Sequence, residues 1–526
     1  MDSEGVVVEL ARDKIDAEIA TLEERIRILR TERNRLSLIS RCPPEVMTQI
    51  FAWIQQFYLG SRFYSDRQLP YDYRRWTRVT RVSQGWRHIA LSSKALWNII
   101  PMQWLAYATE SFSRLGSMPF FLFGADSSTY SYITNQKPEL WNTIATECHR
   151  IRFIRRVVDP TTAKFPQPMP LLEYVEVTSA RELPPSFFSP ALQTLILSFC
   201  KIDWNWPVLP QLTTLEIKTP APSVSLDSFV NLLQNCPSLQ TLKIHRIFPE
   251  TPEFRPEKFQ PAQPSPLLPR LSSFHASAAS WEDGHSLSLG LLSHLRFTAP
   301  FTIHIEGVRT LPGSLSSLMQ VFNRILSESS TTIRRVFFVH RPGTTEKSYY
   351  QGAVELALHD KSTDLPFIQL SMSIKGQNDL SDWIKDIAIL PLDQVEHLST
   401  DLVNNPAAWK ENGIGQLSKL RSINVFEGGQ AFLKHIADDY EDFKASRGHG
   451  GLSFAALEEV ETKEVQLNRE LKHPLCVALA GREKAGYRFK KLMLEGKVTD
   501  DSMKQLQKYV DEVELTVVRK RRRRGQ

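Results

Sequence analysis

The sequence predicts an α/β chain in which a long N-terminal helix and a small all-α module precede an irregular ladder of parallel strands, with helices on its outside. Three observations predict it. Residues 9–37 contain neither Gly nor Pro and space their apolar side chains as a helix does. Residues 44–97 repeat that spacing in two shorter stretches. From about residue 150 onward, short apolar runs recur in one frame, apolar-x-x-apolar-x-apolar. The length agrees, because 526 residues exceed one ordinary domain unless a repeat lets a single elongated core keep growing.

Residues 1–37 form the first element. Ile15, Ile19, Leu22, Ile26, Leu29 and Leu36 alternate spacings of four and three, interrupted at Arg33. With Ile19 and Ile26 at a and Leu22 and Leu29 at d, the stripe suits a two-stranded coiled coil. In a parallel homodimer Glu18 would face Glu23 and Arg25 would face Arg30, and these like charges penalise that pairing. The stripe is therefore expected to pack on its own chain or to stay solvated, with a hetero-partner or an antiparallel pairing as the alternative.

Residues 38–110 form the helical module. Pro43 and Pro44 punctuate the chain, and Val46, Met47, Ile50, Phe51 and Ile54 follow at helical spacing. After a Tyr-rich polar stretch, Val79, Val82, Trp86, Ile89 and Leu91 line one side of a second unit that ends at Leu96 and Trp97.

Residues 111–510 carry the repeats. LQTLIL (Leu192, Leu195, Leu197), LTTLEI (Leu212, Leu215, Ile217), LQTLKI (Leu239, Leu242, Ile244), LSHLRF (Leu292, Leu295, Phe297) and LRSINV (Leu420, Ile423, Val425) keep the frame. Weaker copies surround Ile151, Tyr174, Phe274, Val336, Leu370, Leu398, Leu457 and Leu492. The frame is that of a leucine-rich repeat, and the fold expected here is an irregular leucine-rich-repeat solenoid. LQTLILSFCKI alone completes the longer pattern, with Cys200 at the turn. Residues 249–269 hold seven prolines and read as an extended loop. Residues 437–451 read as a polar excursion. Near the end come a helix with a Gly stop, a strand, and a helix capped by Asp501 or Ser502. Residues 511–526 are a strand end and a basic tail.

Within the three neighbouring clear repeats, the residues between the buried positions point to one face by the period of two. They are Thr194, Ile196 and Ser198, then Thr214, Glu216 and Lys218, then Thr241, Lys243 and His245. This polar ladder is the expected contact face for a protein target, with a merely solvated sheet face as the plain alternative.

Charge and motif content exclude several functions. The net charge of +6 is local, since Arg519, Lys520, Arg521, Arg522, Arg523 and Arg524 supply all of it and the remaining 58 basic residues match 58 acidic ones. That tail is a basic run of the nuclear-import kind, so the expected location is the nucleus, the cytoplasm or both. Five scattered cysteines form no CxxC pair and encode neither a disulfide framework nor a zinc site. No apolar run reaches the roughly 18 residues of a membrane span, so a soluble chain in a reducing compartment is expected. No phosphate loop, HExxH or GxGxxG occurs, GHSLS at 284–288 lacks the last glycine of a nucleophile elbow, and thirteen histidines are dispersed. The expectation is no enzyme, no cofactor and no metal. Arg74, Arg75, Arg78, Arg81, Arg87 and Lys94 interleave with Trp76, Trp86, Trp97 and Trp104, a pattern that suits an acidic protein partner and, as the lesser reading, stacked nucleic-acid bases.

CPPEVMTQIF followed by VTRVSQGWRHIALSSKALW resembles the F-box, the short helical motif that docks onto the Skp-type adaptor of cullin-RING ubiquitin ligases. It is similar above all to the large fungal F-box-like families, in which a helix precedes the motif and an irregular leucine-rich array follows. Pro43, Glu45, Val46, Ile50, Phe51, Val82, Trp86, Leu96 and Trp97 match the pattern, whereas Cys42 stands where the family has Leu. The resemblance implies that Pro43, Val46, Ile50, Phe51, Val79 and Val82 contact the adaptor and that Trp86, Leu96 and Trp97 hold the motif together. It further implies a substrate-recognition subunit of an SCF-type E3 ligase, joined to cullin through the adaptor and carrying an unknown target on its repeats. The alternatives are a nuclear nucleic-acid-associated scaffold using the arginine stretch and tail, and an interaction or coiled-coil assembly protein without ligase function.

Overall fold

The structure is a computed structural model that describes residues 3–59, 71–124, 138–158, 165, 167–178, 183–220, 223–248, 268–277, 285–297, 300–309, 314–342, 352–360, 366–374, 385–400, 417–426, 429–446, 452–467 and 469–516. It is a mixed α/β protein whose strands are mostly parallel, and it divides into two compact units, Met1–Leu192 and Gln193–Gln526. The tail residues Arg519 to Arg524 and most of the Pro-rich segment, 249–267, lie outside the described residues.

The first unit opens with α1 (Ser3–Arg35). Its apolar stripe is open among the described residues: Ile15, Ile19, Leu22, Ile26 and Leu29 are all about half exposed or more. Of the two expected arrangements, packing on its own chain or solvation, the exposure of the stripe among the described residues matches the second. A 3-10 turn (Leu38–Arg41) leads to α2 (Pro44–Leu59), where Pro44 takes the first helical position and the Pro43 carbonyl accepts the Met47 N–H. The second stretch is not one helix. A 3-10 helix (Tyr71–Arg81) breaks at Val82, and α3 (Gln84–Ser92) restarts with the Ser83 hydroxyl accepting the Trp86 N–H at 3.2 Å.

Strands begin earlier than the sequence suggests. β1 (Ile99–Pro101) is wholly buried and lies inside the stretch read as all-helical. It pairs in parallel with β2 (Phe120–Phe123), which pairs with β3 (Ile151–Val158) and then β4 (Tyr174–Thr178). α4 (Leu105–Leu115) and α5 (Pro138–Thr146) connect them. FFLF in β2 escapes the repeat frame because its side chains are apolar on both faces.

The second unit stacks β5 (Thr194–Ser198), β6 (Thr214–Lys218), β7 (Thr241–His245), β8 (Ser273–Ser277) and β9 (Thr302–Arg309) in parallel and in unbroken register from β5 to β9. Leu195, Leu197, Leu215, Ile217, Leu242 and Ile244 point inward and are at most 2% exposed. Before each strand one carbonyl holds two N–H groups of the next: Gln193 receives Thr213 and Thr214, and Thr213 receives Gln240 and Thr241. The same device recurs later, where Glu396 receives Arg421 and Ser422, and Arg421 receives Glu458 and Glu459. After each of β5, β6 and β7 the chain turns through a left-handed residue, Phe199 (φ 55°), Thr219 (φ 44°) and Arg246 (φ 51°). A β-branched residue is the poorest fit to that conformation. Thr219→Gly is accordingly expected to raise stability by about 1 kcal/mol in a denaturant titration; a fall would mean that the threonine side chain holds the turn.

Two readings of this region are corrected. LSHLRF is not a strand: α7 (His285–His294) buries Leu291 and Leu292, and Leu295 follows it, because apolar-x-x-apolar also fits one helical turn. The strand of that repeat is β9. The ladder is also not wholly parallel. After α8 (Ser314–Ser329), strands β10 (Arg335–Pro342), β11 (Gly352–His359) and β12 (Ile368–Ile374) form an antiparallel meander, with β12 parallel to β9 and β10 parallel to β13 (His397–Thr400). The spatial order is therefore β9-β12-β11-β10-β13.

From β13 the parallel stack resumes through β14 (Ser422–Val425), β15 (Glu459–Gln466), β16 (Phe489–Lys497) and β17 (Val510–Thr516). β17 is the last strand of the ladder among the described residues. The stretch read as a polar excursion from residue 437 is mainly the second half of α9 (Gly429–Ala445), where Ile436, Ala437 and Asp439 are buried. α6 (Leu226–Gln234) lies between β6 and β7, and at this end come α10 (Arg469–Lys484) and α11 (Asp500–Leu506), the latter capped by Thr499 rather than by Asp501 or Ser502.

Candidate functional site

The helical module separates a core side from an exposed apolar side. Met47, Phe51 and Gln55 of α2 face inward at spacings of four, against Tyr73, Trp76, Val79, Leu96 and Trp97. Trp76 meets Trp97 edge to face at 5.3 Å, Phe51 meets Trp86 at 5.2 Å, and both buried indoles are satisfied, Trp76 by the Tyr107 hydroxyl at 2.9 Å and Trp97 by the Ala90 carbonyl at 2.8 Å. Gln55 donates to Tyr73 at 2.6 Å and to the Leu96 carbonyl at 2.9 Å, tying the two halves together. Burial pushes the Tyr73 phenol well above its usual range and that of Tyr107 up to about 12, so both stay neutral hydrogen-bonding groups.

On the other side of α2, Val46, Ile50, Trp53 and Phe57 recur at spacings of four, three and four and form one row. Trp53 is 60% and Phe57 78% exposed. Pro43, Val46 and Val82 are exposed and Ile50 half-buried, so four of the six residues expected to meet an adaptor are accessible. Phe51 and Val79 are corrected: they are core residues, because a helix packed by its 47-51-55 face turns Phe51 inward. Leu96 and Trp97 are buried, and Trp86 is half-buried. Trp53 and Phe57 were missed, although continuing the i, i+3, i+4 count from Val46 finds both.

The basic residues Arg74, Arg75, Arg78, Arg81, Arg87 and Lys94 are exposed. Their tryptophans are engaged elsewhere: Trp76 and Trp97 are buried, and the Arg74 guanidinium lies 4.7 Å from the Trp104 ring.

In the second unit the expected polar ladder is half-buried throughout and longer than the sequence suggested. Register aligns Thr194, Thr214, Thr241, Ser273 and Thr302 in one column. The next column holds Ile196, Glu216, Lys243, His275 and His304, and the third holds Ser198, Lys218, His245, Ser277 and Glu306. Glu216 pairs with Lys218 and lies 3.8 Å from Lys243. Burial pushes its carboxyl up, but these two cations outweigh burial and the net shift is downward. His245 bonds the Ser277 hydroxyl through Nδ1. Burial, then the charges of His275 and Lys218, press His245 down to about 4, and burial followed by His304 likewise lowers His275.

Sequence distance hid the histidines. His275 and His304 are 29 residues apart, yet the β8–β9 register places them directly opposite, with rings stacked at 4.6 Å. Histidines dispersed along the sequence are thus brought together in space, beside the Glu306 carboxylate. Among the described residues no helix is long and apolar enough to cross a membrane. No protein-family model matches this chain, and no curated protein matches it.

Proposed function

We propose that residues 38–110 act as an F-box-like docking module for a Skp-type adaptor, and that the parallel ladder is a leucine-rich-repeat-like array that holds a protein target. The chain would then be the substrate-recognition subunit of an SCF-type E3 ubiquitin ligase, leaving catalysis to other subunits and raising the local concentration of the target. The observation that carries this reading is the exposed apolar row Val46, Ile50, Trp53 and Phe57, which begins one turn after Pro43 and stands on a core closed by Trp76 and Trp97. An amphipathic helix that keeps two aromatic side chains in water, although its other face already packs a core, is built to lose that exposure against a partner. The half-buried polar columns of the second unit suit a target face, because they offer charge and hydrogen bonds without competing for the apolar core.

The nucleic-acid reading draws less support. Of the tryptophans that would stack bases, Trp76 and Trp97 are core residues, Trp86 is half-buried against Phe51, and Trp104 is covered by Arg74. Co-expression of the full chain with a Skp-type adaptor tests the proposal. A stoichiometric complex that survives gel filtration is the expected result; free adaptor and free chain would remove the reading. A complex that forms but fails to recruit cullin would leave an adaptor-binding protein without ligase function.

A further inference from the structure

We infer that the ladder face of the second unit carries a transition-metal site of the zinc type, formed by His275, His304 and Glu306. The inference stands apart from the ligase reading and depends only on the register of β8 and β9.

Three features of the geometry support it. His304 Nε2 lies 3.1 Å and His275 Nε2 3.9 Å from the two oxygens of the Glu306 carboxylate, and the three ligand atoms all lie within 4.8 Å of one another. Zinc–nitrogen bonds of about 2.1 Å in a tetrahedron set donor atoms about 3.4 Å apart, so small side-chain rotations bring this trio to ligation distance. The site is also left incomplete by the protein: His275 Nε2 is buried and has no hydrogen-bond partner. A buried nitrogen without a partner is costly, and an ion at this point would relieve that cost. Finally, the scaffold is rigid, because His275 and His304 sit on adjacent, fully paired parallel strands, and Glu306 lies two residues beyond His304 on the same face.

The donor set selects the metal. Two imidazoles and one carboxylate suit zinc and its neighbours; calcium and magnesium prefer oxygen alone, and copper(I) prefers sulfur. Three protein ligands leave a coordination position on the exposed side of Glu306, open to water or to a donor from a bound partner. His245 bonds Ser277 through Nδ1 and is not among the three residues whose ligand atoms gather within 4.8 Å of one another.

The test uses the full chain stripped of metal and titrated with Zn²⁺ against a chromogenic chelator. One equivalent should bind, and His275→Ala, His304→Ala and Glu306→Gln should each weaken binding at least tenfold, while His88→Ala on the exposed surface of α3 leaves it unchanged. Circular dichroism of the metal-free variants shows whether they fold. Independently of any variant, Co²⁺ added to the wild type should give the visible absorption of a four-coordinate nitrogen and oxygen site. Failure of the wild type to bind one equivalent of Zn²⁺, or wild-type affinity in all three site variants, would overturn the inference.

Discussion

Replacing Trp53 and Phe57 together by aspartate is expected to abolish co-purification of a Skp-type adaptor while leaving the thermal transition of the chain almost unmoved. Both side chains are exposed, 60% and 78%, on the face of α2 that does not pack. Removing them costs the free protein little apolar burial. In a complex they would be the largest apolar groups on the row, and aromatic anchors at the centre of an interface carry roughly 2 kcal/mol each. Losing two amounts to about 4 kcal/mol, close to a thousandfold in Kd. Val82→Ala, a smaller exposed side chain off the α2 row, should cost less than tenfold. Binding within threefold of wild type in the double variant would place the adaptor contact elsewhere or deny it.

The largest effect on stability is expected at Arg482→Ala. Arg482 is 1% exposed and donates to the carbonyls of Ser453 at 3.1 Å and Phe454 at 2.6 Å, with its guanidinium 4.9 Å from the Phe489 ring. Asp439 holds the same loop from the other side, accepting the Ser453 N–H and its hydroxyl, each at 2.8 Å. Together they fix a turn in which Phe454 is left-handed at φ 55° and yet fully buried. Burial lowers the Arg482 pKa to about 10, opposed by Asp439, which leaves the side chain charged at neutral pH. Truncation would take the side-chain donor from the Ser453 carbonyl, leave the Phe454 carbonyl with the Leu457 N–H, and open a cavity in the core, a loss of about 3 kcal/mol. Lysine should rescue only part of it, because a single ammonium lacks the planar fork that reaches two carbonyls. The check is a urea titration of the isolated chain; a loss under 1 kcal/mol would show that the loop is held by apolar packing alone.

The parts of this protein that were legible in its sequence are those in which one element buries one face. LTTLEI and LQTLKI place every buried and half-buried residue where the structure has them, since alternation along a strand leaves no second solution. LSHLRF failed because its spacing suits a helical turn as well. β2 and β11 were missed because neither keeps the repeat frame, and the antiparallel meander because strand direction is a property of pairing that no local pattern records. The candidate sites divide in the same way. Val46 and Val82 could be placed on the surface from a motif, but Phe51 could not be placed inside until its neighbours on the 47-51-55 face were known. His275 and His304 carry no short-range signal at all. Only the register of two strands separated by the segment that contains α7 makes them neighbours.

The order β9-β12-β11-β10-β13 also governs how the chain can be made. In a plain parallel ladder each new strand finds its neighbour already waiting, and growth follows synthesis from the N-terminus. Here β9 leaves the ribosome long before β12, and β13 docks on β10 instead of on the strand just completed. Until residue 368 and beyond has emerged, the outer edge of β9 remains an open template for foreign strands. A message cut short between residues 310 and 367 would therefore yield a sticky fragment, whereas one ending after β14 would already have closed the seam.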